Sequence, residues 1–444
     1  MSKTIAAIAT PFGTGAIGVI RLSGDNSLNI ANQVFKCKRL DSFCNAVPNV
    51  MYFGKVCCGE FFDECLAIYF KAPHSFTGED VVEFQCHGGI RLLEELLKNL
   101  LNKGATIADK GEFTKRAFLN GKYSLSEAEG IIDMINSENI ASLNAGYRQL
   151  SGNLNKKVLK LEEQILDITA SLEASLDYPE ELEEEVRENL PSKLSTLKND
   201  LQSLLDSAKY SRIVKNGINV AIIGMPNIGK SSLLNAILGK DRAIVTDIAG
   251  TTRDVLEERI ERKGIFINFI DTAGIRNTTD TVEKIGVNKA KSCAENADII
   301  LMMLNSNSNI TNEEQALLDS FKDKPIIKIY NKMDLGVCVK DDDGIYISAK
   351  TGENVEQIID VICDKFISGK IDSSGDIITN IRHIESLQNT LNFINSACLN
   401  SEITPSECIL IDLRAAYLEL GAISGNTASE DIIDTIFSKF CLGK

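Results

Sequence analysis

Long apolar runs are absent from this sequence. None approaches the roughly 20 residues that a helix needs to span a bilayer, so we expect no membrane-spanning segment. The chain also begins without a secretory or arginine-rich transit segment, because Met1 to Thr4 enter directly into strand-like sequence. The expected location is therefore the cytoplasm.

A Cys-x-x-Cys pair is also absent, although the chain contains 12 cysteines. The cysteines are scattered, and only Cys57 and Cys58 are adjacent. This spacing argues against both a zinc site and a disulfide framework. We expect most of the thiols to be buried.

Positive charge is the third shortage, because 47 lysines and arginines face 62 acidic residues and leave a net charge of −15. This balance disfavours broad nonspecific binding to nucleic acid, so any contact with RNA must be local. An apolar content of 44% and a charged content of 25% are typical of a soluble globular protein and exclude a disordered chain. The length of 444 residues is enough for about three domains.

The most specific motif is Gly224–Ser231, which fits the phosphate-binding pattern GxxxxGK[ST]. A strand-like run, 218–223, precedes it and a helix-like run, 232–238, follows, so the loop would direct backbone N–H groups toward phosphate. Lys230 is then expected to contact the β- and γ-phosphates, and Ser231 a magnesium ion.

Four further motifs complete a GTP-hydrolysing site. Asp271–Gly274 follows an apolar strand and places a carboxylate near the magnesium shell, and Gly250–Asp254 offers a threonine hydroxyl to the same ion. Asn331–Asp334 supplies a carboxylate that can accept two N–H groups of guanine, which favours GTP over ATP. Ser348–Lys350 completes the base pocket. Residues 218–366 thus resemble the Ras-like GTPase family throughout.

One position departs from that family. Ile275 stands where Ras-type proteins carry a water-positioning glutamine. Glu283 is the nearest carboxylate that could take over this role, although a solvated helix glutamate is an equally good interpretation of it. Asn227 offers a side-chain carbonyl to a monovalent cation beside the phosphates, which would supply charge neutralisation without a second protein.

The residues that flank the GTPase predict two other domains. Residues 1–120 alternate between strand-like and helix-like runs, which indicates an α+β domain. Within it, Gly13–Gly18 matches the dinucleotide fingerprint GxGxxG, but a strand follows it instead of the helix that a dinucleotide-binding turn requires. We therefore reject NAD or FAD binding there.

Helical periodicity dominates the two remaining segments, 121–215 and 371–444. Leucine, isoleucine and valine recur every three or four residues from Leu150 to Leu176, and Pro179 with the acidic run 180–185 is expected to break the helix before a second one begins at Pro191. A Gly/Ser/Asp-rich connector, 368–375, ends the GTPase. The expected architecture is multidomain, α/β and α, with a Ras-like P-loop GTPase, 216–370, inserted into a discontinuous helical domain.

The chain ends in Cys-x-Gly-Lys, residues 441–444, and this ending is similar to that of the tRNA-modifying GTPases of the MnmE/TrmE type. The resemblance extends over the whole chain. It includes Ala9–Pro11 with Gly18–Gly24, Ser75–Asp80, Gly111–Thr114 with Ala117–Lys122, and Asp412–Ala416.

The resemblance implies an N-terminal folate-binding and dimerisation domain and a potassium-stimulated GTPase. It also implies a homodimer that acts on tRNA with an FAD-dependent partner, MnmG. Together they would add a carboxymethylaminomethyl or aminomethyl group at C5 of the wobble uridine, with a one-carbon unit from 5,10-methylene- or 5-formyl-tetrahydrofolate. The implied cofactors are Mg²⁺, K⁺ and that tetrahydrofolate derivative.

Site residues follow by position. The resemblance implies potassium ligands at Asn227, Thr246, Ile248 and Thr251, magnesium ligands at Ser231 and Thr252, and catalytic roles for Glu283, Lys230 and Thr252. Switch arginines would be Arg253 and Arg276. The folate contacts would be Arg21, Glu83, Lys122 and Lys444. The nucleotide contacts would be Asn227, Ile228, Gly229, Lys230, Ser231, Ser232, Thr246, Asp247, Ile248, Ala249, Gly250, Thr251, Thr252, Asp271, Thr272, Ala273, Gly274, Asn331, Lys332, Asp334, Ser348, Ala349 and Lys350.

Some alternatives stay open at this point. Cys441 could be a nucleophile near a one-carbon donor or a small packing residue. A ribosome-assembly GTPase could share every nucleotide motif, but it would need an RNA-binding module with a basic or aromatic surface, and neither flank contains one. A mechanical, dynamin-like GTPase would leave Arg21, Glu83 and the Cys-x-Gly-Lys ending without explanation.

Overall fold

The computed structural model describes residues 3–240, 258–270, 296–322, 324–338, 341–367, 378–400 and 405–444. The chain divides into two compact units. The first comprises residues 1–135, 146–203 and 382–444, and the second comprises residues 136–145 and 204–381. The main chain therefore passes between the units four times, at 135/136, 145/146, 203/204 and 381/382.

The first unit contains a seven-stranded sheet of order β3-β4-β5-β6-β2-β1-β7, antiparallel except for the β1–β7 pair. Its strands are β1 Ile5–Ile8, β2 Ile17–Ser23, β3 Phe35–Lys36, β4 Met51–Cys58, β5 Phe61–Phe70, β6 Val81–His87 and β7 Thr106–Ile107. Helices α1 (Ser27–Val34) and α2 (Ile90–Asn102) share one core with the sheet, in which Ile30 and Leu96 join Phe84. The predicted α+β character of this region is confirmed.

Alternation along β4 shows which face of the sheet is covered. Tyr52 and Val56 are buried, whereas Met51 and Phe53 on the opposite face are exposed. A period of two is what a sheet covered on one side requires. The strand predicted after the GxGxxG match is also confirmed, because β2 begins at Ile17 and pairs with β1 and β6.

Helices form the rest of the first unit. They are α3 Glu112–Leu119, α4 Leu125–Ile135, the C-terminal part of α5 Ile140–Leu150, α6 Asn153–Asp177, most of α7 Pro179–Ala208, α12 Ile381–Asn400 from its second residue, α13 Ser406–Ser424 and α14 Glu430–Ser438. The buried stripe of α6 runs from Leu154 to Leu172, as the spacing predicts, but Leu176 is 40% exposed.

The predicted break at the acidic run is wrong. Helix α7 begins at Pro179, continues through the glutamates and contains Pro191 in its interior. Proline at the first helical position loses no hydrogen bond, and Glu180 and Glu181 in the first turn interact favourably with the helix dipole. The interruption lies at Tyr178, where α6 ends.

The second unit is built on a six-stranded sheet of order β13-β12-β11-β8-β10-β9. All strand pairs are parallel except β9–β10. The strands are β8 Ile218–Gly224, β9 Glu258–Arg262, β10 Ile265–Phe269, β11 Ile299–Asn305, β12 Ile326–Asn331 and β13 Ile345–Tyr346, and the helices include α8 Ser211–Asn216, α9 Lys230–Lys240, α10 Asn312–Ser320 and α11 Val355–Ile367. The central strands read as almost continuous apolar runs, which is typical of parallel strands buried on both faces.

The cysteines differ from expectation. Of the eleven that the structure describes, only Cys58, Cys65, Cys86 and Cys363 are buried, so the prediction that most are buried is wrong. The other seven lie in loops, near the C-terminus or on partly exposed faces of helices and strands. A small side chain such as cysteine fits these positions without being buried. Within the described ranges, no helix combines the length and the apolar character needed to cross a membrane.

Candidate functional site

The phosphate-binding motif lies where the sequence predicts it, between a strand and a helix. Strand β8 ends at Gly224 and helix α9 begins at Lys230, so the loop 225–229 connects a buried strand to a helix N-terminus. Backbone N–H groups of the first helical turn have no partner within their own helix, and the helix dipole favours negative charge there. This end of the sheet is therefore suited to bind a phosphate.

Two lysine side chains donate hydrogen bonds to backbone carbonyls of the phosphate-binding loop. The Lys230 ammonium donates hydrogen bonds to the carbonyls of Gly224 and Met225, at 2.8 and 2.9 Å. Burial lowers the pKa of Lys230 below its ordinary value. Lys332 donates to the carbonyl of Asn227 at 3.2 Å. Both cations thus lie against the loop that would receive a triphosphate.

The side chain of Asn331 forms hydrogen bonds with two of the other nucleotide motifs, the phosphate-binding loop and Ser348–Lys350. Its side-chain amide donates to the carbonyl of Ile228 at 2.8 Å, and its side-chain oxygen accepts from the backbone N–H of Ala349 at 3.0 Å. The residue is 3% exposed at the end of β12. Asn331 is predicted from the sequence only as a base-pocket residue, and this bridging role is visible only in the structure.

Gly229 has a local reason to be glycine. Its φ is +107°, and a Cβ at this position would lie 2.4 Å from the side-chain nitrogen of Asn331. The glycine therefore lets the Asn331 side chain reach the phosphate loop.

Asp334 and Ser348, which the sequence analysis assigns to the base pocket, are in direct contact. Asp334 lies in a short 3₁₀ helix, Met333–Leu335, and its Oδ1 accepts a hydrogen bond from the buried Ser348 hydroxyl at 2.8 Å. The hydroxyl fixes the carboxylate, whose two oxygens can accept from N1–H and the exocyclic amine of guanine. Adenine has a lone pair at N1 and cannot donate a hydrogen bond from it to the carboxylate, so we expect adenine to bind more weakly than guanine.

Asp334→Asn is expected to weaken GTP binding by roughly 10- to 100-fold, because the amide keeps one acceptor oxygen and places a donor against an N–H group. The affinity for ATP should change little. Xanthosine triphosphate, which has a carbonyl in place of the exocyclic amine, should bind the variant better than GTP does. Competition binding with the three nucleotides measures this, and an unchanged preference for GTP would place the base pocket elsewhere.

Ser232 lies in the first turn of α9 and Lys350 follows Ala349 in the described chain, whereas the other nucleotide-site predictions fall outside the described residues. They are Thr246, Asp247, Ile248, Ala249, Gly250, Thr251, Thr252, Arg253, Asp271, Thr272, Ala273, Gly274, Ile275, Arg276 and Glu283.

A second cluster lies in the first unit around Arg21. Arg21 and Glu83 are directly opposite each other on β2 and β6, and the Arg21 Nε donates to Glu83 Oε1 at 2.7 Å. The guanidinium lies 5.3 Å from the ring centre of Phe76 and 5.6 Å from that of Phe113. A partly buried ion pair flanked by aromatic rings can bind a flat, polar heterocycle.

The C-terminal tail reaches the same cluster. The backbone N–H of Phe113 donates to the carbonyl of Lys444 at 3.2 Å. Gly443 has a φ of +87°, and a Cβ there would lie 2.3 Å from the carbonyl oxygen of Ile8, so only glycine fits. The close approach to Ile8 explains why the tail carries glycine, and the hydrogen bond joins Lys444 to the backbone of Phe113, whose ring flanks Arg21.

Lys122 is connected to the cluster less directly. Its ammonium donates to the carbonyl of Pro73 at 3.1 Å, and the neighbouring Tyr123 ring lies 6.1 Å from Phe76. The structure thus places Arg21 against the rings of Phe76 and Phe113, Glu83 on Arg21, and Lys444 on the Phe113 backbone, whereas Lys122 contacts Pro73. Phe76 and Phe113 are not among the site residues predicted from the sequence. Aromatic residues near a predicted ion pair would have been the signal.

Cys441 is exposed. The packing interpretation requires a buried side chain, so it does not fit this position.

Comparison with known proteins covers both units. Residues 4–122 match the family described as "GTP-binding protein TrmE N-terminus", and residues 125–441 match "MnmE helical domain". A protein from Clostridioides difficile, described as tRNA modification GTPase MnmE, is 41% identical over 100% of both chains. One from Caldicellulosiruptor saccharolyticus, with the same description, is 42% identical over 99% of both chains.

The chain belongs to the MnmE family of tRNA modification GTPases. A solved structure of Era from Aquifex aeolicus aligns with 43% of this MnmE-family chain and with 69% of the Era chain. The aligned residues are 24% identical, and the TM-score is 0.27. Membership of the MnmE family confirms the resemblance drawn from the Cys-x-Gly-Lys ending and the N-terminal motifs.

Proposed function

We propose that this chain hydrolyses GTP in a potassium-stimulated reaction and, with the FAD-dependent partner MnmG, modifies C5 of the wobble uridine of tRNA. The added group would be carboxymethylaminomethyl or aminomethyl, with its one-carbon unit from a tetrahydrofolate. The observation that carries this proposal is the Arg21–Glu83 ion pair against the rings of Phe76 and Phe113, with the Lys444 carbonyl bonded to the Phe113 backbone.

The residues of that cluster fit a reduced folate. Glu83 can accept from the N–H donors of the pterin, and Phe76 and Phe113 offer faces for its ring. Lys122 and Lys444 carry the cations that a polyanionic tail requires. Bound there, the folate would supply the one-carbon unit, while the protein holds the pterin and excludes water from one side of it.

On the nucleotide side, Ser231 at the start of α9 and Thr252 would hold Mg²⁺. Asn227, with Thr246, Ile248 and Thr251, would hold K⁺. Glu283 would orient the attacking water, since Ile275 cannot. The Asn227 side chain is exposed, and its backbone φ is +60°. Asparagine tolerates this left-handed conformation better than most residues.

We also propose that two copies associate through the exposed face of strand β4. Met51 and Phe53 on that face are 47% and 64% exposed, which supports an apolar contact with another chain. Sedimentation velocity of the purified protein tests the association, and a monomer at micromolar concentration would contradict it.

Arg21→Gln is expected to weaken binding of 5-formyl-tetrahydrofolate by roughly 10- to 100-fold, because it removes a charged hydrogen-bond partner and leaves Glu83 unpaired. GTP turnover should stay within about twofold, since a change confined to one binding determinant leaves an independent site unaffected. Equilibrium titration of the folate and steady-state GTP turnover are the two measurements.

The matched control is Arg91→Gln, the same change at an arginine that is 93% exposed on α2. Deletion of Lys444 should weaken folate binding in the same direction. Unchanged folate affinity in both Arg21→Gln and the deletion would exclude the cluster as the folate site. A parallel loss of GTP turnover would instead indicate a folding defect.

A further inference from the structure

Residues 136–145 lie in the second unit, although α4 before them and the second half of α5 after them belong to the first. Asn139 anchors this segment. Its side chain is 5% exposed, and its amide donates to the carbonyl of Val214 at 3.0 Å. Val214 lies in α8, directly before β8, which ends at the phosphate-binding loop. The segment therefore contacts the chain that leads into the nucleotide site.

The same segment contacts the β9–β10 hairpin. The backbone N–H of Ala141 donates to the carbonyl of Gly264 at 3.0 Å, and that of Ile140 to the Glu261 carboxylate at 3.3 Å. Glu138 forms an ion pair with Arg259 at 2.7 Å. In the sequence, this hairpin stands between the two motifs that would respond to γ-phosphate, Gly250–Asp254 and Asp271–Gly274.

Helix α5 begins in this segment and ends in the first unit. Asn139 caps the helix, because its side-chain oxygen accepts from the backbone N–H of Ser142 at 2.7 Å. The helix then runs from Ile140 to Leu150, across the boundary at 145/146. An uninterrupted helix is a rigid element, so a displacement at its N-terminus is transmitted to its C-terminal half.

Within the first unit, α5 packs against α4 backbone to backbone. A Cβ on Gly146 would lie 2.9 Å from the backbone nitrogen of Met134, and a Cβ on Gly130 would lie 2.7 Å from that of Leu150. Contacts this close leave no room for one helix to slide without the other. Helix α4 therefore has to follow α5.

Helix α4 is attached in turn to the segment where the chain returns from the second unit. Glu129 of α4 accepts hydrogen bonds from Arg382 at 2.6 Å and lies 2.6 Å from the ring nitrogen Nε2 of His383. Arg382 is the first residue after the 381/382 boundary and also donates to the carbonyl of Ala422 in α13. The partly buried ion pair thus joins α4, after which the chain leaves the first unit, to the residue at which the chain returns to it.

We propose that residues 136–150 are the coupling element through which the nucleotide bound to the GTPase alters α4 and the residues packed on it, with Asn139 as the positioning residue. This inference rests on the GTPase activity of the family and requires neither folate, potassium nor MnmG. It is carried by the contacts of residues 138–141 with α8 and the β9–β10 hairpin, by the continuity of helix α5, and by the contacts of α5 with α4.

Hydrogen exchange of the full-length protein, saturated with GDP or with a non-hydrolysable GTP analogue, tests the proposal. In the unmodified protein, α4 amides should exchange at different rates in the two states. Asn139→Ser keeps a capping hydroxyl but cannot reach Val214, so it should reduce this difference by about fivefold, the scale of one lost hydrogen bond. Affinity for both nucleotides should be retained.

Asn144→Ser is the matched control, because Asn144 is exposed on the same helix. It should leave the nucleotide-dependent difference in α4 unchanged. Glu138→Gln, which removes the Arg259 ion pair, should reduce the difference in the same direction as Asn139→Ser. The proposal is overturned if α4 exchanges equally with both nucleotides in the unmodified protein, if Asn139→Ser and Glu138→Gln both preserve the difference, or if Asn144→Ser also abolishes it.

Discussion

Replacing potassium with sodium at fixed ionic strength is expected to lower GTP turnover by about 100-fold or more. A cation beside the phosphates would do the work of an arginine finger, which is worth about 10³- to 10⁵-fold in related phosphoryl transfers. Sodium is smaller than potassium and would fit the same oxygen ligands poorly. Rubidium, whose ionic radius is close to that of potassium, should restore turnover.

Two variants identify the residues involved. Asn227→Gly preserves the left-handed backbone, because glycine adopts a φ of +60° freely, but removes the side-chain carbonyl. Its turnover in potassium should fall to the level seen in sodium. Glu283→Ala should lose about 100-fold in either ion with GTP affinity retained, since a group that orients water acts on the transition state. Equal turnover in sodium and potassium would remove the basis for the proposed cation site.

Glu129→Gln is expected to destabilise the first unit by about 3 kcal/mol at neutral pH, because it removes the buried carboxylate charge that pairs with Arg382. Burial raises the pKa of Glu129, but His383 and Arg382 outweigh it and hold the pKa at about 2, below its ordinary value of 4.5. The folded-state pKa is the lower one, so the carboxylate stabilises the fold fully above pH 4.5. This stabilisation is lost as the pH falls toward 2.

The measurement is urea unfolding followed by far-UV circular dichroism, since the chain has no tryptophan to report the transition by fluorescence. The difference between the unmodified protein and Glu129→Gln should be largest at pH 7 and shrink below pH 4.5. Glu163→Gln, the same change at an exposed position on α6, should have little effect at either pH. A difference independent of pH would show that the carboxylate charge is not the stabilising group.

Local sequence was sufficient for the nucleotide-binding loop and for most helices and strands. The loop Gly224–Ser231 is one continuous segment, so its strand, turn and helix are all encoded within it. The same holds for the periodic stripe of α6. The exception is Pro179, where a proline that reads as a helix breaker is the first residue of α7.

Contacts between distant segments could not be predicted. Nothing near Asn331 in the sequence indicates that its amide reaches Ile228, because that contact depends on how parallel strands are ordered. Phe113 and Lys444 meet only after both ends of the chain have folded into one unit. The resemblance to a family supplied the predicted folate contacts, but the two aromatic rings against Arg21 became visible only in three dimensions.

The passage of the chain between the two units also sets an order for its synthesis. The buried carboxylate of Glu162 on α6 accepts a hydrogen bond from Ser424, which follows it by 262 residues. At about 5–20 residues per second, a ribosome needs roughly 13–50 s to cover that distance. During this time α13 has not been synthesised and cannot cover the apolar stripe of α6. All residues of the second unit emerge before the last segment of the first unit begins at residue 382. The GTPase can therefore fold early, and the helical core is the part of the nascent chain that a chaperone would have to protect.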